Sequence, residues 1–211
     1  MPGLTLLRRS QYVFWFAGIV LCGVSAGVYM EARYFQAMEN RRLEEALRKN
    51  VRGTVPAAPA HTARVHVRRA TGSLVGRLEI PRLRFSAIVL EGSDSRTLRL
   101  GVGRIPGTAE PGQQGNLVLG GHRDTFFRPL RGIRTGDFIT LATTAGPYRY
   151  VVEWTAVVDP RDTGSLQATA DRSLTLVTCY PFHYVGPAPQ RFIVRARQVA
   201  AGDSAADAAS D

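Results

Sequence analysis

Between Tyr12 and Met30 the chain carries no charged side chain, and the run is Tyr-Val-Phe-Trp-Phe-Ala-Gly-Ile-Val-Leu-Cys-Gly-Val-Ser-Ala-Gly-Val-Tyr-Met. A helix needs about 20 apolar residues to cross a bilayer, and this run is close to that length. Arg8 and Arg9 precede it, and Tyr12, Trp15 and Tyr29 suit the two membrane interfaces. A cleaved signal peptide has a shorter apolar core, about 7–15 residues, followed by a small-x-small site. Here Ser25-Ala26-Gly27 is a weak candidate for such a site, and the apolar run continues past it. Cys22 follows Val20-Leu21, whereas a lipoprotein cleavage site takes a small residue just before its cysteine. Residues 1–30 therefore read as an uncleaved signal anchor, transmembrane over about 12–30. Arginines ahead of the span place the N-terminus in the cytoplasm and everything after Met30 outside.

Residues 31–50 continue as a helix rich in Glu, Arg, Leu and Ala, with Glu44/Arg48 and Glu45/Lys49 spaced as favourable i,i+4 pairs. Their apolar positions, Tyr34, Met38, Leu43 and Leu47, are sparse, so the expectation is a solvated stalk. Residues 51–72 hold Pro56, Pro59, alanines, glycines and arginines with little periodicity, and read as a basic linker. From Ser73 the texture changes. Short β-type runs recur at Leu74–Ile80, Phe85–Glu91, Gly115–Gly120, Asp137–Thr143, Tyr148–Val158, Leu174–Cys179 and Arg191–Val199. Helical turns fit near Ser95–Leu100, Thr125–Leu130 and Gly164–Ala170. Seven or eight short strands with few long helical patterns imply a mainly β domain over residues 73–200, a sandwich or barrel. About 130 residues suffice for one domain with its own core. Residues 201–211 are small and acidic, the composition of a disordered tail.

The formal net charge is +10, and Lys49 is the one lysine, so the positive charge is arginine. Much of it lies in the N-terminal third beside the apolar span, which favours attraction to an anionic surface. Aromatic-basic interleaving, zinc-finger spacing and RNA-binding signatures are missing from the sequence, which argues against a nucleic-acid partner.

The second cysteine, Cys179, ends the run Ser173-Leu174-Thr175-Leu176-Val177-Thr178-Cys179, and Tyr180-Pro181 follows at once. If Cys22 is in the bilayer, the two sulfurs lie in different compartments and cannot pair. An unpaired thiol in an exported domain is either a buried small hydrophobe or a nucleophile. His122, after Gly120-Gly121, also sits at a predicted strand end, and the glycines allow close packing there. His61 and His66 fall in the linker, and His183 in the loop after Cys179. Arg191 opens the last predicted strand, where it can point at the space above the thiol. Asp159, Asp162 and Asp171 are scattered among arginines, so neither a metal nor another cofactor is expected.

Three segments together resemble the His, Thr-Leu-x-Thr-Cys and Arg motifs of sortases, most like the class D type. They are Gly120-Gly121-His122-Arg123-Asp124-Thr125-Phe126-Phe127, Thr175-Leu176-Val177-Thr178-Cys179-Tyr180-Pro181-Phe182 and Ala188-Pro189-Gln190-Arg191-Phe192-Ile193-Val194. The resemblance covers about Ser73 to Val199. It implies a sortase-type β-barrel behind a transmembrane helix, and a cysteine transpeptidase with Cys179, His122 and Arg191 as catalytic residues. Thr178 and Tyr180, which flank the thiol, are the expected substrate contacts. It further implies exported partners bearing a C-terminal Leu-Pro-x-Thr-Gly-like sorting signal, an amine acceptor on the cell envelope, and attachment to the cytoplasmic membrane. Two alternatives stand beside this reading: a cysteine hydrolase that cleaves without transfer, and a non-enzymatic envelope β-domain with a buried, inert thiol.

Overall fold

A computed structural model describes residues 3–52, 69–184 and 186–200. Most of the predicted linker and the acidic tail at 201–211 lie outside the described residues. One long helix, α1 (Gly3–Arg52), is followed by eight strands. They are β1 (Leu74–Ile80), β2 (Phe85–Glu91), β3 (Val102–Arg104), β4 (Gly115–Gly120), β5 (Phe138–Thr143), β6 (Gly146–Val158), β7 (Arg172–Tyr180) and β8 (Gln190–Val199). They close into a barrel in the order β1-β2-β3-β4-β7-β8-β6-β5. Only β2/β3 and β4/β7 are parallel pairs; the rest are antiparallel. Closure leaves no exposed sheet edge. Alternate residues such as Leu78, Ile80, Leu117, Leu119, Leu174 and Leu176 point inward and form the fully buried core.

Strand β3 is the element that the sequence does not announce. Val102-Gly103-Arg104 is too short for a period to be read. It is held from outside its own sequence: by parallel pairing with β2, by antiparallel pairing with β4, and through the Arg104 side chain. That guanidinium, almost fully buried, grips Glu91 at 2.6 and 2.9 Å and Glu110 at 3.0 Å. A short helix, α2 (Ser95–Leu100), leads into β3. Asp94 caps it, accepting hydrogen bonds from the N–H groups of Arg96 and Thr97.

The stretch of α1 after Met30 is not the solvated stalk expected. It lies against the barrel wall. Leu43 is completely buried and Glu39 nearly so. Phe35 covers the outward-facing Ile88 and Leu90 of β2, together with Leu100 of α2. Gln36 completes the contact: its Nε2 donates to the Leu100 carbonyl at 2.7 Å, and its Oε1 accepts from the Ile88 N–H at 2.8 Å. Farther along, Glu44 meets Arg77 of β1 at 3.2 Å. The docked face repeats at helical spacing, at Ala32, Phe35, Gln36, Glu39 and Leu43. Because Gln36 and Glu39 are polar, a hydrophobic period does not reveal it. The upstream part of α1, from Tyr12 to Met30, is exposed along its length. The helix as a whole is long and apolar enough to cross a membrane.

Candidate active site

Parallel pairing sets β4 beside β7 from Gly115↔Arg172 to Gly120↔Val177. Two residues further, the same offset carries His122 to the level of Cys179. Two hydrogen bonds extend the contact past the end of β4: the Gly121 N–H donates to the Val177 carbonyl at 3.2 Å, and Thr178 Oγ1 donates to the Gly121 carbonyl at 2.7 Å. On the other side, antiparallel pairing sets Cys179 directly opposite Arg191. Opposite residues of an antiparallel pair share one face, with Cβ atoms about 5 Å apart. Cys179 and Arg191 therefore form a cross-strand pair, and His122, two residues past the end of β4, extends the row by the same offset. Cys179 is a free, half-buried thiol, His122 is exposed and Arg191 is half-buried.

The row sits on the outer face of the barrel. Asn116 Oδ1 accepts from both Ser173 and Thr175, at 3.3 and 2.7 Å, which fixes those positions on the side away from Leu174 and Leu176. Alternation then carries Val177 and Cys179 onto the same side. The β6–β7 loop folds over this face. It leaves β6 at Val158, which pairs with Arg191, so it begins beside the site. Its middle is pinned at Ser165 and Gln167, whose carbonyls accept from Asn116 Nδ2 at 3.3 and 3.0 Å. Arg195 Nη2 adds a 2.7 Å bond to Ser165. Burial lowers the Arg195 pKa from its usual value, against the opposing charge of Glu153. The guanidinium is also braced by Ser173 and by the ring of Trp154.

Thr178 departs from its expected part. It is buried and its hydroxyl is committed to Gly121, so its side chain ties the cysteine strand to the histidine strand instead of facing a substrate. Tyr180 stays half-exposed beside the thiol. It stacks on Phe192 at 6.2 Å and meets Phe182 edge-on at 5.9 Å, and Phe182 packs on Phe192 at 5.3 Å. Arg191 Nη1 donates to the carbonyls of Gln190 and Ala188 at 3.0 and 3.4 Å, and its other nitrogens make no hydrogen bond among the described residues. His183 is exposed in the turn beyond Pro181.

Arg123 is the residue that sequence reasoning passed over. Directly after His122, it reaches into the β7–β8 loop and donates to three carbonyls: Pro181 at 3.1 Å, Tyr184 at 2.7 Å and Gly186 at 3.0 Å. Its guanidinium also lies over the Tyr184 ring at 5.7 Å. An arginine in a loop signals nothing by itself, because its partners are backbone atoms 58 to 63 residues away. Gly121 serves the same corner sterically. A Cβ there would come within 2.8 Å of the buried Phe127 ring, while one at Gly120 would meet nothing closer than 3.9 Å. Among the described residues, no group of three or more His, Cys, Asp or Glu side chains is arranged to hold a metal ion.

A profile of the family described as Sortase domain matches residues 78–199, the barrel with all three residues of the row. The chain belongs to the sortase family. It is 31% identical to Sortase D of Bacillus subtilis over 186 residues, covering 87% of this chain and 94% of that one. It resembles the solved Sortase D5 transpeptidase of Clostridium perfringens with a TM-score of 0.62 at 22% identity, over 81% of this chain and 99% of that one. A lid mutant of Sortase A from Corynebacterium diphtheriae gives a TM-score of 0.58 at 27% identity, over 78% of this chain and 95% of that one. This sortase is a cysteine transpeptidase built on the eight-stranded barrel expected of it.

Proposed function

We propose that this sortase is anchored in the cytoplasmic membrane by α1 and joins exported proteins to an amine on the cell envelope. Its substrates carry a C-terminal Leu-Pro-x-Thr-Gly-like signal. The observation that supports the assignment is the Cys179–Arg191 pair across β7 and β8, with His122 two residues past the end of β4 at the same offset. Cys179 attacks the carbonyl carbon of the signal's Thr as thiolate, the nucleophilic form of the side chain. As the Thr–Gly C–N bond breaks, His122 hands a proton to the departing Gly amine and a thioester remains on Cys179. An incoming amine then attacks the thioester and passes a proton to His122, and the thiolate departs with the new amide complete. Arg191, always charged and with donors to spare, faces the oxyanion or the substrate backbone. Tyr180, with Phe182 and Phe192, offers an apolar surface for the signal beside the thiol. Arg8 and Arg9 before the apolar span favour a cytoplasmic N-terminus with the barrel outside.

The test is product analysis with a Leu-Pro-x-Thr-Gly peptide, with and without an added amine. The wild type should release the fragment beginning with Gly and join the remainder to the amine. Cys179→Ala should do neither while remaining folded. Cleavage retained by Cys179→Ala would refute the nucleophile. A reporter fused after Val199 should behave as exported, and the full chain should resist extraction by salt.

A further inference from the structure

Gln36 fixes where the barrel sits along α1. Its two hydrogen bonds, to Leu100 of α2 and Ile88 of β2, put the dock at Phe35 only five positions past Met30, the last residue of the apolar span. At 1.5 Å per residue that is about 7 Å of helix. The headgroup layer on each side of a bilayer is roughly 5–8 Å deep, half the difference between its total thickness and its hydrocarbon core. A barrel docked at Phe35 therefore rests on the headgroups. A solvated stalk would instead have held it clear.

The surface at this level is basic. Arg96 and Arg99 of α2 are exposed, and Arg96 lines a hollow with Phe35, so α2 stands at the level of Phe35. Arg33, two residues nearer the span, lies over the ring of Tyr29 at 5.6 Å and donates to its hydroxyl. Tyr29 is an interfacial type of residue at the end of the apolar run. Two acids lie at this level: Asp94 is spent on capping α2 and on the Thr97 hydroxyl, and the exposed Glu31 beside Met30 offsets one of the arginines.

We infer that Arg33, Arg96 and Arg99 form a lipid-contact surface for anionic headgroups, which seats the barrel directly on the membrane. The inference rests on the anchored reading proposed above. Each arginine near an anionic surface is worth about a fivefold gain in attraction. Glu44, by contrast, is fourteen residues past Met30, about 21 Å along the helix. It meets Arg77, which pairs with Ile88 on one side and Ala142 on the other, so β5 and the β5–β6 turn lie two strands beyond the Gln36 contact, on the side towards Glu44.

The test uses the full chain carrying Cys22→Ala and Cys179→Ala, reconstituted in phosphatidylcholine vesicles with and without phosphatidylglycerol. A single fluorophore is placed by Ser95→Cys on α2, or by Ala145→Cys on the β5–β6 turn, and energy transfer to headgroup-labelled lipid is read. In vesicles with phosphatidylglycerol, the Ser95 position should transfer severalfold more than the Ala145 position. Adding Arg96→Glu and Arg99→Glu, or omitting phosphatidylglycerol, should reduce the Ser95 signal, while Arg96→Lys with Arg99→Lys should preserve it. Equal transfer from the two positions in a chain that still resists salt extraction would overturn the seating alone. A Ser95 signal indifferent to lipid charge and to the reversals would overturn the headgroup contact. Extraction by salt would overturn the anchor and the seating together.

Discussion

Arg123 donates to the Tyr184 carbonyl at 2.7 Å, and so ties the residue beside His122 to the loop that follows Cys179. Further bonds to Pro181 and Gly186 make the side chain a clamp between the two halves of the site. A displacement near 1 Å between reacting groups can cost about 100-fold in rate. Arg123→Ala should therefore lower kcat/KM by about 10- to 100-fold while leaving the pH profile of the residual activity in place. A clamp of this kind needs a fork of donors, so Arg123→Lys should recover little. Wild-type kinetics in both variants would remove the clamp from the mechanism.

The two histidines near Cys179 differ in how the fold holds them. Both are exposed, but the β4/β7 offset, extended two residues past Gly120, sets His122 level with Cys179, while His183 lies in the turn after Pro181. Loss of a general acid/base costs about 100- to 10,000-fold. His122→Ala should fall in that range, and His183→Ala should fall far less. Single-turnover acylation assays separate them, and the reverse order would transfer the acid/base role to His183.

Arg191 stands opposite Cys179 but already spends one nitrogen on the carbonyls of Gln190 and Ala188. If its remaining donors serve the reaction, a lysine cannot replace them, because a single ammonium lacks the planar fork. Arg191→Lys should be severely impaired in acylation with folding unchanged. Near-normal acylation would reduce its role to positive charge.

The two glycines before His122 make a matched pair. A methyl group at Gly121 must push into Phe127, which is fully buried against Phe85. Overpacking of this kind costs about 1–3 kcal/mol and shifts the local backbone. Gly121→Ala should therefore lower both the melting temperature and activity. Gly120→Ala finds room and should alter both much less. Thermal unfolding of the two variants, run side by side with peptide cleavage, checks the contrast.

Much of the barrel was legible because its longer strands alternate, and the site because its three motifs sit at strand ends. The residues that sequence alone could not place share one property: their partners are set by closure of the barrel. Strand β3 exists through pairing on both sides, Thr178 turns inward to a carbonyl of another strand, and Arg123 binds backbone across the site. The docked face of α1 was hidden for a different reason. Gln36 and Glu39 occupy positions where a hydrophobic pattern would have been sought. The matching signal lay in β2, whose Ala87-Ile88-Val89-Leu90 is apolar on both faces and so demands a cover outside the barrel.

Asp137 gives the barrel a titratable brace. It lies just before β5 and takes both oxygens to Arg82, while the Arg134 N–H donates to Oδ2 at 2.8 Å. Burial by itself would raise its pKa, but the hydrogen bonds from Arg82 and Arg134 outweigh it and hold the carboxyl below its ordinary value. A carboxyl whose pKa is lower in the folded state binds its proton more weakly there than in the unfolded chain. Its stabilisation is complete above the unfolded value, near 3.9, and is lost as pH falls through the folded value. Asp137→Asn removes the charge at every pH. It should cost about 1.5–3 kcal/mol at neutral pH, the usual worth of hydrogen bonds to a charged group. The gap between wild type and variant should then shrink as the pH is taken below about 4. Denaturant melts of both proteins from pH 7 down to acid conditions read this directly. A gap that stayed constant with pH would mean the brace acts through shape alone, with no contribution from its charge.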